Sequence, residues 1–403
     1  MTNNDLQKTV LEEIFSGKKG AQKMINLFDE IRSKFPLDKD LKIPSIVVIG
    51  DQSHGKSSLL ELISGIELPK GEGMVTRVPL ELRLRNIDEK KSEEQIQTED
   101  EMSVDEYVEI EASWLESGEK KKKFLLNETE KAVKEYTQKA IDEDDKRSVA
   151  EKPIIMTVFK KNTLDLTLID LPGIIRNPGV FDDPSAPDLI KKMINHYVSR
   201  EEVIILNVLQ CGDDPQTCES MRISYQLDKA WARTLLVYTK IDKEEISSVI
   251  SKYKGLITSY QVPTENIFFV RNRSHDDLHK AKMTLRKAQD QESWYFEKNK
   301  TQLEEIPNQC LGSVNLAGRL HQLLKGALKK LLPDITQRLE TKEKQLQKRK
   351  KELGDELEEK DKQSQLRRFL EEIFDRLNRS INTESNDFTL APTYKIFFKK
   401  KGT

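Results

Sequence analysis

The chain has 403 residues and a formal net charge of −2, with 34% of its residues charged; that length holds one large domain with helical attachments, because single cores stop growing at roughly 250–300 residues. A balanced charge excludes an overall basic field, so no nucleic-acid partner is expected. Cys211, Cys218 and Cys310, an odd number in a long chain, exclude a disulfide framework, and the lack of a signal-peptide pattern or a membrane-spanning apolar run predicts a cytoplasmic protein.

In chain order, residues 5–35 carry apolar positions at helical spacing (Leu6, Val10, Ile14, then Met24, Phe28, Ile31, Phe35), broken by Gly17 and Gly20 and closed by Pro36. Residues 44–50 form a β-branched apolar run of the kind buried on both faces of a parallel sheet. Further runs of that kind are 166–170, 203–208, 234–238 and 267–270. Helical stretches between them predict an α/β fold whose mostly parallel central sheet has helices on both faces. The stretch 86–151 breaks the rhythm with Glu, Lys and Asp and is expected to be surface helix and long loop. Beyond residue 313, Leu316, Leu320, Leu323, Leu324 and Leu328 share one helical face, which Pro333 is expected to interrupt. A second helix is predicted over 334–377, with Ile335, Leu339, Leu346, Leu353 and Leu357 near heptad spacing on a projecting, solvated rod. The tail, 387–403, has no periodicity.

Three motifs carry chemistry. Gly50-Asp51-Gln52-Ser53-His54-Gly55-Lys56-Ser57-Ser58 follows the first strand and opens a helix. This is a phosphate-binding loop in its required setting: backbone N–H groups curl around a phosphate, Lys56 bridges β and γ oxygens, and the Ser57 hydroxyl takes Mg²⁺. Asp170 ends another strand before Leu171-Pro172-Gly173, where it can hold Mg²⁺ through water with Gly173 beside the γ-phosphate. Thr239-Lys240-Ile241-Asp242 ends a third. Its carboxylate can accept from guanine N1 and N2, which adenine cannot offer, while the Lys240 stem packs on the base. The order, and separations of about 115 and about 70 residues, predict a GTP-binding P-loop protein with an insertion before Asp170. Thr76, at the end of a glycine-bearing loop, is a candidate γ-phosphate sensor and Mg²⁺ ligand.

The spans 43–80, 166–174, 217–243 and 268–274 resemble the GTPase domain of the dynamin superfamily, closest to the Mx proteins and the Mx-like plant dynamin-related proteins. The resemblance runs from about residue 20 to 345. It implies that Gln52 orients the attacking water and that Ser53 holds a charge-compensating K⁺ or Na⁺. It also implies that Asp214 reaches across a GTPase-domain dimer, and that Asn272 and Arg273 line base and ribose. His54 departs from the small residue the family has there and is expected to face solvent, the alternative being an effect on phosphate or cation affinity. The implied layout is a first bundle helix (1–38), the GTPase domain (39–332), a second bundle helix with a truncated stalk (333–380, Pro333 at the hinge) and an irregular tail (381–403). The family's stalk continues much further, so a naturally short form or a fragment is expected.

Two functions follow: a GTP hydrolase stimulated by self-association through the GTPase domain, or a poorly hydrolysing GTP-binding protein that modulates assemblies of full-length relatives. A third, an ATP-dependent P-loop enzyme, requires Asp242 to be incidental. Membrane or microtubule contact is compatible with the resemblance, but the region that would choose such a target is unrecognisable.

Overall fold

The structure, a computed structural model, describes residues 44–69, 76–87, 106–112, 114–115, 121–143, 148–161, 163–175, 183–273, 277 and 283–353. The expected helices within 5–35, the helical run beyond 353 and the tail lie outside the described residues. In chain order the elements are β1 (Ser45–Ile49), α1 (Lys56–Ser64), β2 (Leu80–Asn86), β3 (Tyr107–Glu111), β4 (Lys121–Phe124), α2 (Thr129–Asp142), β5 (Ile154–Lys160), β6 (Leu166–Asp170) and α3 (Ala186–Val198). They continue with β7 (Val203–Gln210), α4 (Glu219–Leu227), β8 (Thr234–Thr239), α5 (Ile246–Ser259), β9 (Ile267–Phe269), α6 (Leu285–Lys298) and α7 (Ser313–Leu353).

The strands form a nine-stranded sheet in the order β4-β3-β5-β2-β6-β1-β7-β8-β9. From β6 to β9 every neighbouring pair is parallel. β1 shows why its sequence is apolar throughout. Val47 and Ile49 join a cluster with Ile190, Met193 and Ile194 of α3, while Ile46 and Val48, equally buried, face the other side as strand alternation demands. On the far side of β8, Trp231, Tyr238, Phe269, Val249 and Tyr253 build a second cluster under α5. The fold is the α/β P-loop type, with the carboxyl ends of β1, β6, β7 and β8 at one edge, where open sheets of this class place ligands.

The charged stretch corrects the sequence reading. Residues 86–151 add β3 and β4 to the sheet through antiparallel pairs, as well as α2. In β3 only Val108 and Ile110 are buried, and Glu109 and Glu111 alternate with them, so half the strand's signal is charge. Lys121 of β4 pairs with Glu109 at 2.8 Å, and the Lys-rich edge discourages further strand pairing. β2 is masked in the same way. Its buried Arg83 is neutralised by Glu81 at 2.8 Å, and its buried Arg85 donates to Leu166 O at 3.2 Å and Thr167 Oγ1 at 3.3 Å.

Pro333 does not interrupt the helix. α7 runs through it from Ser313 to Leu353. A proline deletes one ladder bond and crowds one carbonyl, at about 3 kcal/mol, and Leu316, Leu320, Leu324 and Leu328, all buried, anchor the turns before it. The chain divides into units up to Ile335 and from Thr336. In the second, the described helix is solvated, with Leu346 exposed, as its charge density predicts.

Candidate active site

The loop after β1 is held from behind. Gly50 has no room for a side chain, because a Cβ there would stand 2.5 Å from Val208 O. Gln52 N donates to Ile174 O at 3.0 Å and Ile174 N to Gly50 O at 3.1 Å, so this loop and the segment after Asp170 are tied together. The Asp51 carboxylate turns to α4 and caps it, accepting from Glu219 N at 3.2 Å and Ser220 N at 2.9 Å. Ser53 and Gly55 take left-handed φ values of 66° and 93°. The N-cap of α1 is Gly55, which has no side chain to cap it and leaves the first-turn N–H groups, through Ser57 and Ser58, for an anion.

Lys56, buried, donates to Gly50 O at 3.0 Å and Asp51 O at 3.4 Å. Burial lowers its pKa, opposed by the charges of Asp170 and Asp51. Gly173 lies against it: a Cβ at that position would be 3.0 Å from Lys56 Nζ and 3.1 Å from Gln52 Cα.

Asp170 is 1% exposed. Burial pushes its carboxyl up to about 6, against the pull of Lys56 and of a hydrogen bond from Thr76. Thr76 Oγ1 donates to Oδ2 at 3.3 Å, while Oδ1 is buried without a hydrogen-bond partner. Ser57, Thr76 and Asp170 line one pocket. Two hydroxyls and a carboxylate with an unused buried oxygen are the donor set of a hard cation such as Mg²⁺.

On the other flank, Thr239 Oγ1 donates to His54 O at 2.6 Å. Lys240, itself at φ 59°, donates from Nζ to Ser53 O at 2.9 Å and to Gln210 Oε1, laying its stem over the loop. Asp242 pairs with Arg271 Nε at 3.4 Å. Asn272 Nδ2 donates to Gly55 O at 3.4 Å, and its Oδ1 is buried without a partner.

The family model described as "Dynamin family" matches residues 46–241, and the one described as "Dynamin central region" matches 264–397. The chain is 32% identical over 284 residues to the interferon-induced GTP-binding protein Mx of Perca fluviatilis, covering 68% of this chain and 83% of that one. The chain belongs to the dynamin family. It is 30% identical over 346 residues to dynamin-related protein 4C of Arabidopsis thaliana (85% of this chain, 46% of that one). To the interferon-induced GTP-binding protein MxA of Danio rerio it is 31% identical over 323 residues (79% and 46%). The chain thus spans about half the length of these last two relatives.

Against this dynamin-type frame, one site residue departs from the sequence reading. His54 does not face solvent. It is 7% exposed, with Nδ1 3.3 Å from Val208 O and Nε2 2.9 Å from Asp213 Oδ2, because a loop that curls toward the ligand turns its next side chain back under β7. The Arg273 guanidinium meets Glu61 of α1 at 2.8 Å and Met283 O at 2.9 Å, which makes it a brace between α1 and the segment before α6. Asp214 is exposed, and its carboxylate accepts from Gln216 N at 2.9 Å. Arg271, which holds Asp242, escaped the sequence reading; its signal was a second arginine at the end of the β9 run, two residues before Arg273.

Proposed function

We propose that this chain binds GTP with Mg²⁺ and hydrolyses it. One observation carries the reading: the buried Asp170 carboxylate, with one oxygen unused, faces Ser57 and Thr76 across a pocket beside Lys56. Bound Mg²⁺ would be held by Ser57 and Thr76, with Asp170 behind it, and would neutralise phosphate charge. Lys56 exchanges loop carbonyls for β and γ oxygens, and the uncapped start of α1 receives the phosphates. The packing of Gly173 against Gln52 supports a close approach of both to the γ-phosphate, with Gln52 aligning water. Guanine is chosen by Asp242, oriented by Arg271, because adenine would leave that carboxylate without donors. The Mx relatives are named as GTP-binding proteins, in agreement with this choice.

In this reading turnover rises when two GTPase domains meet, Asp214 contacts the second copy, and Ser53 holds a K⁺ or Na⁺ that compensates phosphate charge. The protein works in the cytoplasm, alone or with full-length relatives. The test is nucleotide competition followed by turnover. GTP and GDP displace a fluorescent guanine nucleotide in the presence of Mg²⁺, ATP does not, and GTP is converted to GDP. Equal competition by ATP overturns the guanine assignment, and binding without conversion overturns the enzyme.

A further inference from the structure

Beside the phosphate loop, three side chains of different chemistry converge. A ring nitrogen of His54, an oxygen of Asp213 and Cys218 Sγ all lie within 4.8 Å of one another. His54 and Cys218 are buried, and the Asp213 side chain is 37% exposed, open to entry from solvent.

The imidazole makes the arrangement demanding. Nδ1 is 3.3 Å from the Val208 carbonyl and Nε2 is 2.9 Å from the Asp213 carboxylate, and both partners only accept. A neutral ring has one N–H and satisfies one of them; a second proton on the ring, or a metal ion at Nε2, satisfies both. The metal has the partner pattern of bound histidine, in which the far ring nitrogen donates to a backbone carbonyl.

We infer that His54, Asp213 and Cys218 form a binding site for a borderline-soft divalent cation of the Zn²⁺ class, with water completing the coordination. Nitrogen, thiolate and carboxylate in one set suit tetrahedral Zn²⁺ and its substitute Co²⁺, and do not suit Mg²⁺. Binding releases the Cys218 proton to solvent and uses the neutral ring of His54. The ion ties the phosphate loop at His54 to the 213–218 segment, which carries Asp214 and leads into α4. It is separate from the Asp170 pocket, and its test needs no nucleotide.

The full chain, reduced and freed of metal, is titrated with Co²⁺. The expected result is one ion per chain, with visible bands of tetrahedral intensity and a near-ultraviolet sulfur-to-cobalt band, both displaced by Zn²⁺. Cys218→Ser abolishes the sulfur band, and His54→Ala weakens binding at least tenfold. Cys310→Ser, whose thiol sits 3.3 Å from Thr264 O and outside the cluster, changes neither. A sulfur band that survives Cys218→Ser, or binding that His54→Ala leaves unchanged, overturns the site, as does a folded parent that binds no Co²⁺ and keeps His54 as an imidazolium paired with Asp213. Should the variants fail to fold, X-ray absorption of the Zn²⁺-loaded parent decides: one sulfur among nitrogen and oxygen neighbours is expected, and a shell without sulfur refutes it.

Discussion

The Thr239 hydroxyl donates to the carbonyl of His54 at 2.6 Å, and the same oxygen reaches Leu209 O at 3.3 Å. One side chain therefore ties the end of β8 to the phosphate loop and to β7, so the base-reading and phosphate-reading halves of the site are hydrogen-bonded together before any ligand enters.

Thr239→Val keeps the shape and removes the donor, leaving the His54 carbonyl without its bond. A buried acceptor stranded in this way costs about 1–3 kcal/mol, so GTP affinity should fall by roughly tenfold, while Thr239→Ser should stay within about twofold of the parent. Titration of a fluorescent GTP analogue measures both. Equal affinity for Thr239→Val and the parent would mean that the tie does not organise the loop.

The two loop glycines should fail differently when changed to alanine. In Gly50→Ala the Cβ would meet the backbone oxygen of Val208 at 2.5 Å, and β7 cannot yield, so the fold should lose about 1–3 kcal/mol. In Gly173→Ala the Cβ would stand 3.0 Å from the end of the Lys56 side chain, which can move, and 3.1 Å from the backbone Cα of Gln52, whose loop must give by a few tenths of an ångström. Urea unfolding of Gly173→Ala should show a smaller loss than Gly50→Ala, while its GTP turnover drops by at least roughly tenfold because Lys56 and Gln52 are displaced. Large destabilisation of Gly173→Ala with unchanged turnover per folded molecule would reverse this assignment.

Asp170 should give a pH signature. Burial holds its carboxyl at about 6, above the unfolded value of about 3.9, so the folded chain binds that proton more tightly. The associated stability is fully present below the unfolded pKa and is lost as pH rises through about 6. Asp170→Asn has no such proton. In the absence of nucleotide and Mg²⁺, the stability of the parent relative to Asp170→Asn should therefore fall by roughly 1–1.5 kcal/mol between pH 5 and pH 7.5, read by urea unfolding. A difference that does not vary with pH would show that the carboxyl is not held protonated by burial.

The parallel half of the sheet was legible because β1, β6, β7, β8 and β9 are buried on both faces and therefore mostly apolar. The three motifs were legible because each stands at the end of one of those strands. The other half was hidden by its charges. Arg83 and Arg85 break the apolar run of β2, although Glu81 and the β6 backbone satisfy them in the fold, and Glu109 with Lys121 disguises two strands as a loop. Pro333 misled for a related reason: it carries a local penalty that packing elsewhere in a 41-residue helix outweighs. His54 was misplaced because side-chain direction at a left-handed turn is set by the loop's curl, and no periodicity in the sequence records it.

The last prediction joins the loop to assembly. After Gly173 come Ile174 and Ile175, both 8% exposed, so no polar side chain follows the glycine to place water. Gln52 is anchored through its backbone, but Ser53 is exposed at φ 66°, and the next residue, His54, is held by Asp213 at 2.9 Å. Asp214 is exposed and adjacent to Asp213, so a second copy that met it would grip the segment that contacts the loop. If the second copy orders Gln52 and Ser53 in this way, GTP turnover per molecule should rise with protein concentration, each tenfold gain requiring only about 1.4 kcal/mol of added ordering. Asp214→Ala should flatten that rise and leave GTP affinity within about threefold of the parent, since the Asp214 carboxylate bonds to Gln216 N and not to the phosphate loop. Steady-state hydrolysis from nanomolar to tens of micromolar protein, with K⁺ and Mg²⁺ present, measures both. Constant turnover across that range would make the single chain sufficient and remove any catalytic part for Asp214. A rise that Asp214→Ala leaves intact would keep self-association and move its contact to another residue.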